Sequence, residues 1–201
     1  MRVRIHLVAL ALLGLSCSRP GVIAVQEGDI VFQTSQSAQS QAIQAATHSP
    51  YSHMGMILYR NGAPYVLEAR AWTRLTPYRE WIHRGEGGRY VVKRLRDPAL
   101  LQDPARREAL RRAALAFLRR PYDEYFEWSD ERVYCSELVW KAYDRSLGIQ
   151  IGTLAPLTSF DLSSPAVKTK LTERYGGRVP LNELVISPAA MFASPLLEEV
   201  H

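Results

Sequence analysis

Apolar residues recur along this chain with two distinct periods. From Ser52 to Tyr59 they alternate, placing His53, Gly55, Ile57 and Tyr59 on one face and Met54, Met56 and Leu58 on the other, the period of a strand. Gly28-Asp29-Ile30-Val31-Phe32-Gln33 reads as a turn leading into a short β-branched and aromatic strand, and Tyr65 to Arg70 and Arg89 to Arg96 read as further strands. Asn61-Gly62 stands between two of these runs and is the strongest short hairpin signal. The helical period appears three times. Ser35 to Thr47 places Ala38, Ala42, Ile43 and Ala46 on one face. Asp103 to Arg119 has Asp103 as N-cap, Pro104 at the first position and an apolar surface of Leu110, Ala113, Leu115, Phe117 and Leu118. Its Arg106, Arg107, Arg111, Arg112 and Arg119 form a solvated face, with membrane contact as the alternative. A last helix runs from about Cys135 to Leu147 and stops at Gly148, with Leu138, Val139, Ala142, Tyr143 and Leu147 toward a core. Beyond Thr153, Pro156, Pro165, Pro180, Pro188 and Pro195 divide the chain into short pieces that wrap rather than scaffold. The order predicts an α+β fold.

The first residues obey neither period. Met-Arg-Val-Arg-Ile-His precedes a short apolar run that ends at Ser16, too short for a stable span, which is the pattern of an export signal. Gly14-Leu15-Ser16-Cys17 resembles a bacterial lipoprotein box, although Gly14 stands where such boxes prefer Leu; an ordinary signal peptide or a retained anchor are the other readings. Lipidation at Cys17 would tether the chain to a membrane, and Ser18 after it favours the outer membrane, facing the periplasm. The expected organisation is a signal peptide over 1–16, a lipidated N-terminus and linker over 17–26, and one domain over 27–201.

Composition narrows the function classes. The 201 residues, 47% hydrophobic and 22% charged, suit one globular domain with its own core. The net charge of +5 falls to +3 without Arg2 and Arg4, too little to indicate nucleic acid as a partner. With only Cys17 and Cys135, no disulfide framework exists. No Gly-rich phosphate loop or His-Glu-x-x-His metal helix is present.

Three residues are candidates for chemistry. Cys135 opens a helix, where unpaired N–H groups and the macrodipole favour a thiolate; a small buried residue is the alternative. Glu137, in the same first turn, suits the dipole. His53 begins an apolar strand, with Gly55 leaving space on its face; His48, in a turn, and His83, in a polar loop over Arg79 to Gly88, compete as bases. A two-residue Asn61-Gly62 turn pairs residues whose numbers sum to 123. Gly55 then faces Glu68, and Glu68 becomes the diagonal neighbour of His53, within reach of long side chains. A four-residue loop ending at Pro64 would move them apart, and Glu68 as a surface residue or a partner of Arg70 is the alternative.

Gly28-Asp29-Ile30-Val31-Phe32, Ser52-His53-Met54-Gly55-Met56, Val66-Leu67-Glu68-Ala69 and Tyr134-Cys135-Ser136-Glu137-Leu138-Val139, in that order, resemble the circularly permuted papain-like hydrolases, the YiiX/YebB-like branch of the NlpC-type cysteine peptidases and amidases. Pro121-Tyr122-Asp123 with Phe126 and Ile186-Ser187-Pro188 add to the likeness, which runs from about Glu27 to Ser194. The resemblance implies an antiparallel sheet packed on the nucleophile helix, with Cys135 as nucleophile, His53 as general base and Glu68 as the third, polar member. It implies no metal or organic cofactor. The Cys135 N–H would help hold the oxyanion, with Tyr134 or Tyr51 as candidate helpers. The expected substrate is an amide in cell-envelope peptides such as peptidoglycan stem peptides. A lipid-directed hydrolase or acyltransferase is the alternative, with the Met54, Met56 and Trp72 neighbourhood compatible with lipid. A non-catalytic envelope scaffold is the third reading.

Overall fold

A computed structural model of the chain describes residues 22–201. The signal-peptide and Cys17 readings lie outside these described residues. In chain order the elements are β1 (Ile30–Gln33), α1 (Ala38–Thr47), β2 (His53–Arg60), β3 (Ala63–Ala69), β4 (Thr73–Pro77), α2 (Tyr78–Arg84), β5 (Val91–Leu95), α3 (Ala99–Gln102), α4 (Pro104–Leu115), α5 (Cys135–Leu147), β6 (Ala155–Pro156), α6 (Pro165–Tyr175), β7 (Leu184–Val185), α7 (Pro188–Phe192) and β8 (Leu197–Val200). Six strands form one sheet in the order β4-β3-β2-β1-β5-β8, each neighbour antiparallel; β6 and β7 pair separately. The fold is α+β, with the sheet packed on α5, as expected.

Both faces of the sheet are covered. Ile30, Phe32, Met54, Met56, Leu58 and Leu67 point toward α4 and α5, where Leu110, Leu138, Val139 and Tyr143 complete the main core. Val31, Ile57, Val66 and Val92 point the other way, onto Tyr78, Trp81 and Ile82 of α2. The alternation of β2 places its side chains on the two faces as the sequence pattern requires.

The β2–β3 hairpin has the two-residue turn. Met56 pairs with Leu67 and Arg60 with Ala63, so partner numbers sum to 123. Asn61 and Gly62 both take positive φ, 53° and 76°, which a type I′ turn demands. Gly55 answers a different need. A Cβ there would clash with Val66 and stand 2.6 Å from the Leu67 carbonyl oxygen and 3.4 Å from Glu68 Cβ. The space expected beside the imidazole is therefore taken up by β3.

Several boundaries differ from the sequence reading. The Arg79 to Gly88 segment contains helix α2 rather than a polar loop, because Trp81 and Ile82 bury against the sheet. The α4 helix starts at its Asp103 cap but stops at Leu115 instead of Arg119, with Phe117 still buried in the turn that follows. All four of its arginines have a partner: Arg111 lies 2.7 Å from Glu27, Arg107 donates to the carbonyls of Leu101 and Gln102, and Arg106 and Arg112 lie 3.9 and 3.8 Å from Asp103 and Glu108. In the C-terminal third the prolines start helices instead of breaking them. Pro165 and Pro188 stand in the first turns of α6 and α7, behind serine caps at Ser164 and Ser187.

Substituting Gly55→Ala overpacks the β2–β3 contact and is expected to cost about 1–3 kcal/mol. Thermal unfolding followed by circular dichroism will show a melting temperature several degrees lower; an unchanged value would mean that β3 yields freely.

Candidate active site

The first residue of α5 and the first residue of β2 meet at one end of the sheet. Cys135 is 3% exposed. Its turn is held from several sides. Tyr134 N–H donates to the Glu137 carboxylate at 3.2 Å, Ser136 Oγ donates to the Ile186 carbonyl at 2.8 Å, and the Ile186 N–H donates to Tyr134 Oη at 3.1 Å. The Ile186-Ser187-Pro188 segment thus clamps the residues on both sides of the cysteine.

Glu137 does more than face the helix dipole. It is fully buried, with Lys141 Nζ 2.6 Å away one turn along α5. Burial pushes its carboxyl up to about 7, against the opposing pull of Lys141 and of the Tyr134 N–H. Lys141 in turn reaches the Ser129 carbonyl, Asp130 and the face of Trp128.

His53 Nε2 lies 2.7 Å from Glu68 Oε2, and the Cys135 side chain is the other group that acts on the ring. Glu68 is 0% exposed, and its partners come from three elements: His53, Thr76 Oγ1 at 2.6 Å, and the Arg84 guanidinium at 2.5 Å, with Arg74 at 3.5 Å. The cations on it are thus Arg84 and Arg74, not Arg70. Burial alone would push His53 down; the hydrogen bonds and charges of Cys135 and Glu68 outweigh it and hold the imidazolium up to about 9. Burial alone would push Glu68 up; His53, Thr76 and Arg84 hold it down at about 2. The competing histidines stand elsewhere, His48 exposed beside Asp161 at 3.3 Å and His83 exposed on α2.

Two cavities flank this cluster. Cys135 lines an apolar one with about 100 Å³ of open volume, walled by Ala42, Ile43, Leu157, Phe160, Val167 and Val185. His53 lines a polar one of about 330 Å³ with Ser37, Ser40, Ser52, Arg70 and Glu124. Gln39 and Tyr122 belong to the walls of both. Gln39 Nε2 donates to Tyr122 Oη at 2.7 Å, which leaves the phenol proton free to be donated. Burial, then the Cys135 sulfur nearby, pushes this phenol well above its usual range. Of the tyrosines expected beside the thiol, Tyr134 has its hydroxyl on Ile186, and Tyr51 stacks on Phe192 with ring centroids 4.1 Å apart, outside the walls of both cavities. Tyr122 instead shares the wall of the apolar cavity with Cys135; its signal in the sequence was the Pro121-Tyr122-Asp123 likeness.

A model of the permuted papain-like amidases, the YaeF/YiiX, C92 family, matches residues 24–201. The chain belongs to this family. Among permuted papain-like amidases it is similar to the uncharacterized protein YiiX of Escherichia coli (strain K12), 49% identical over 175 residues, 87% of this chain and 85% of that protein. It is also similar to the crystal structure of YiiX from Escherichia coli O157:H7, with a TM-score of 0.83 and 49% identity over 88% of this chain and 96% of that one. That structure is named as a metalloprotein. Among the described residues of this amidase, no group of three or more His, Cys, Asp and Glu side chains is placed to hold a metal ion. Membership makes the chain a cysteine peptidase or amidase by family.

The raised His53 value has a sign that can be tested. A pKa raised from 6.5 to about 9 stabilises the fold fully below pH 6.5, and this contribution is lost as pH rises through about 9. The lowered Glu68 value stabilises above pH 4.5 and is lost as pH falls through about 2. NMR titration of the His53 ring is expected to show a midpoint near 9. Glu68→Gln should move it down by about one unit or more, since a carboxylate no longer holds the ring. An unmoved midpoint would remove Glu68 as its cause.

Proposed function

We propose that this amidase is a thiol hydrolase of acyl amides, working through Cys135, His53 and Glu68. The supporting observation is the division of the cleft, with the sulfur on an apolar cavity and the imidazole on a polar one. Hydrolysis of an amide places its acyl group on the sulfur and its amine beside the acid that protonates it. An apolar acyl group seated among Ala42, Ile43 and Val167 presents its carbonyl to Cys135, while a polar amine occupies the cavity of Ser37, Ser40 and Arg70.

In the proposed sequence, the thiol proton already rests on His53, whose raised pKa keeps the ring an imidazolium, and the sulfur attacks the carbonyl carbon. The oxyanion is met by the Cys135 N–H and the Tyr122 hydroxyl, the latter oriented by Gln39. His53 gives its proton to the departing amine, then activates the water that releases the acid. Glu68 keeps the ring oriented and its cation stabilised throughout. An envelope peptide carries polar groups on both sides of its scissile bond, so the apolar wall beside Cys135 favours an acyl amide over a stem peptide.

Mass spectrometry of the purified chain incubated with N-acyl amino acids and, separately, with muropeptides distinguishes the two. Release of fatty acid is expected from the first, and Cys135→Ala should reduce it roughly a thousandfold or more. Turnover that survives Cys135→Ala, or cleavage of muropeptides alone, would overturn the reading. Filling the apolar cavity by Ala42→Phe should raise KM for a long-chain substrate about tenfold or more while leaving an acetyl substrate unaffected, as cavity exclusion requires. Equal losses on both would show that the cavity does not hold the acyl group.

A further inference from the structure

Two segments meet on the rim of the polar cavity. Arg119 N–H donates to the Thr73 carbonyl at 2.9 Å, Thr73 N–H to the Arg120 carbonyl at 2.8 Å, and Tyr122 N–H to the Ala71 carbonyl at 3.0 Å. Trp72 and Pro121 form an antiparallel bridge beside them. Arg119 is held at a φ of 69°, a region non-glycine residues rarely adopt. These cross-bonds fix the backbone of the two segments.

What they present is apolar and cationic. Trp72 is 59% exposed, the most exposed large apolar side chain among the described residues, and Leu118, on the same pair of segments, is 38% exposed. Arg70, Arg74, Arg119 and Arg120 are exposed on the same segments. Arg70, Arg119 and Arg120 have no carboxylate within ion-pair distance among the described residues, while Arg74 reaches Glu68 at 3.5 Å and Glu80 at 3.9 Å. Glu124 is an acidic group of the polar cavity beside this rim. An indole that seeks an interface, beside arginines that seek phosphate, matches the headgroup layer of an anionic bilayer. Recognition of a free anion would use the arginines and give no reason for an outward Trp72 and Leu118.

We propose that this rim docks on anionic phospholipid bilayers, with Trp72 and Leu118 entering the interface and the arginines on the headgroups. Arg70 and Ala71 also line the polar cavity with His53, so docking would set the mouth of the site against the membrane surface. The proposal stands apart from the acyl-amide reading, because it is read by binding and depth and not by turnover.

The full chain is mixed with vesicles of phosphatidylcholine alone or of phosphatidylcholine with phosphatidylglycerol, each with brominated acyl chains. Its four tryptophans are Trp72, Trp81, Trp128 and Trp140, so fluorescence reports the folded domain and not the N-terminal segment. Trp81 and Trp140 are buried and Trp128 lies under Lys141, so quenching by bromine reports Trp72. Quenching is expected on the anionic vesicles, weakened by salt and absent in Trp72→Phe. Arg119→Glu with Arg120→Glu should weaken binding about tenfold or more, as removal of surface attraction predicts, with the melting temperature unchanged. Binding without Trp72 quenching would assign attachment to another part of the chain. That result, equal quenching on both vesicle types, or no binding at all would each overturn the proposal.

Discussion

Glu68 is the constraint on which the site depends. A carboxylate with no contact with water must find donors on every side, and a buried one left unmatched is strongly destabilising. Here β2 supplies His53, β4 supplies Thr76 and Arg74, and α2 supplies Arg84. Meeting that demand fixes the relative placement of three elements. It also commits one imidazole nitrogen, Nε2, to the carboxylate and leaves Nδ1 as the nitrogen not held by it. Gly55 makes this possible, since no side chain stands between Glu68 and its diagonal neighbour.

The sulfur is positioned by a second set of constraints, distant in sequence. The first turn of α5 is closed by Glu137 and clamped by Ile186, which arrives from beyond the proline-rich stretch. Glu137 and Lys141 form a buried pair in the same helix. Such a pair adds little net stability but severely penalises any arrangement that separates its members. The consequence is a thiol with little freedom to move, beside a ring with equally little. Pre-organisation of this kind lowers the entropy lost on reaching a reactive geometry.

Polarity around the cluster is divided as sharply as its geometry is fixed. The walls of Ala42, Ile43 and Val167 come from α1 and α6, while the serines and arginines on the other side come from α1, α2 and the strand ends. Gln39 and Tyr122 stand where the two regions join. The exposed Trp72 rim borders the polar side, so the outer surface and the inner cleft share residues at Arg70 and Ala71.

The sequence alone determined what depends on neighbours in the chain. The β2 alternation, the Asn61-Gly62 turn and its register, the Asp103 cap and the start of α5 at Cys135 are all local, and the register by itself makes Glu68 the diagonal neighbour of His53. Helix α2 was hidden because its few apolar residues, Trp81 and Ile82, gain meaning only against the sheet. The prolines at Pro165 and Pro188 looked like breaks because helix starts and chain breaks share the same residue. Gln39 and Arg84 were invisible as site residues, for each meets the cluster only through long-range contacts that no spacing records, and Tyr122 was marked only by the Pro121-Tyr122-Asp123 likeness. Tertiary structure also decided the polarity of the cleft and the outward turn of Trp72. Periodicity says which residues share a face of one element, whereas burial and pairing between distant elements are settled only when those faces pack.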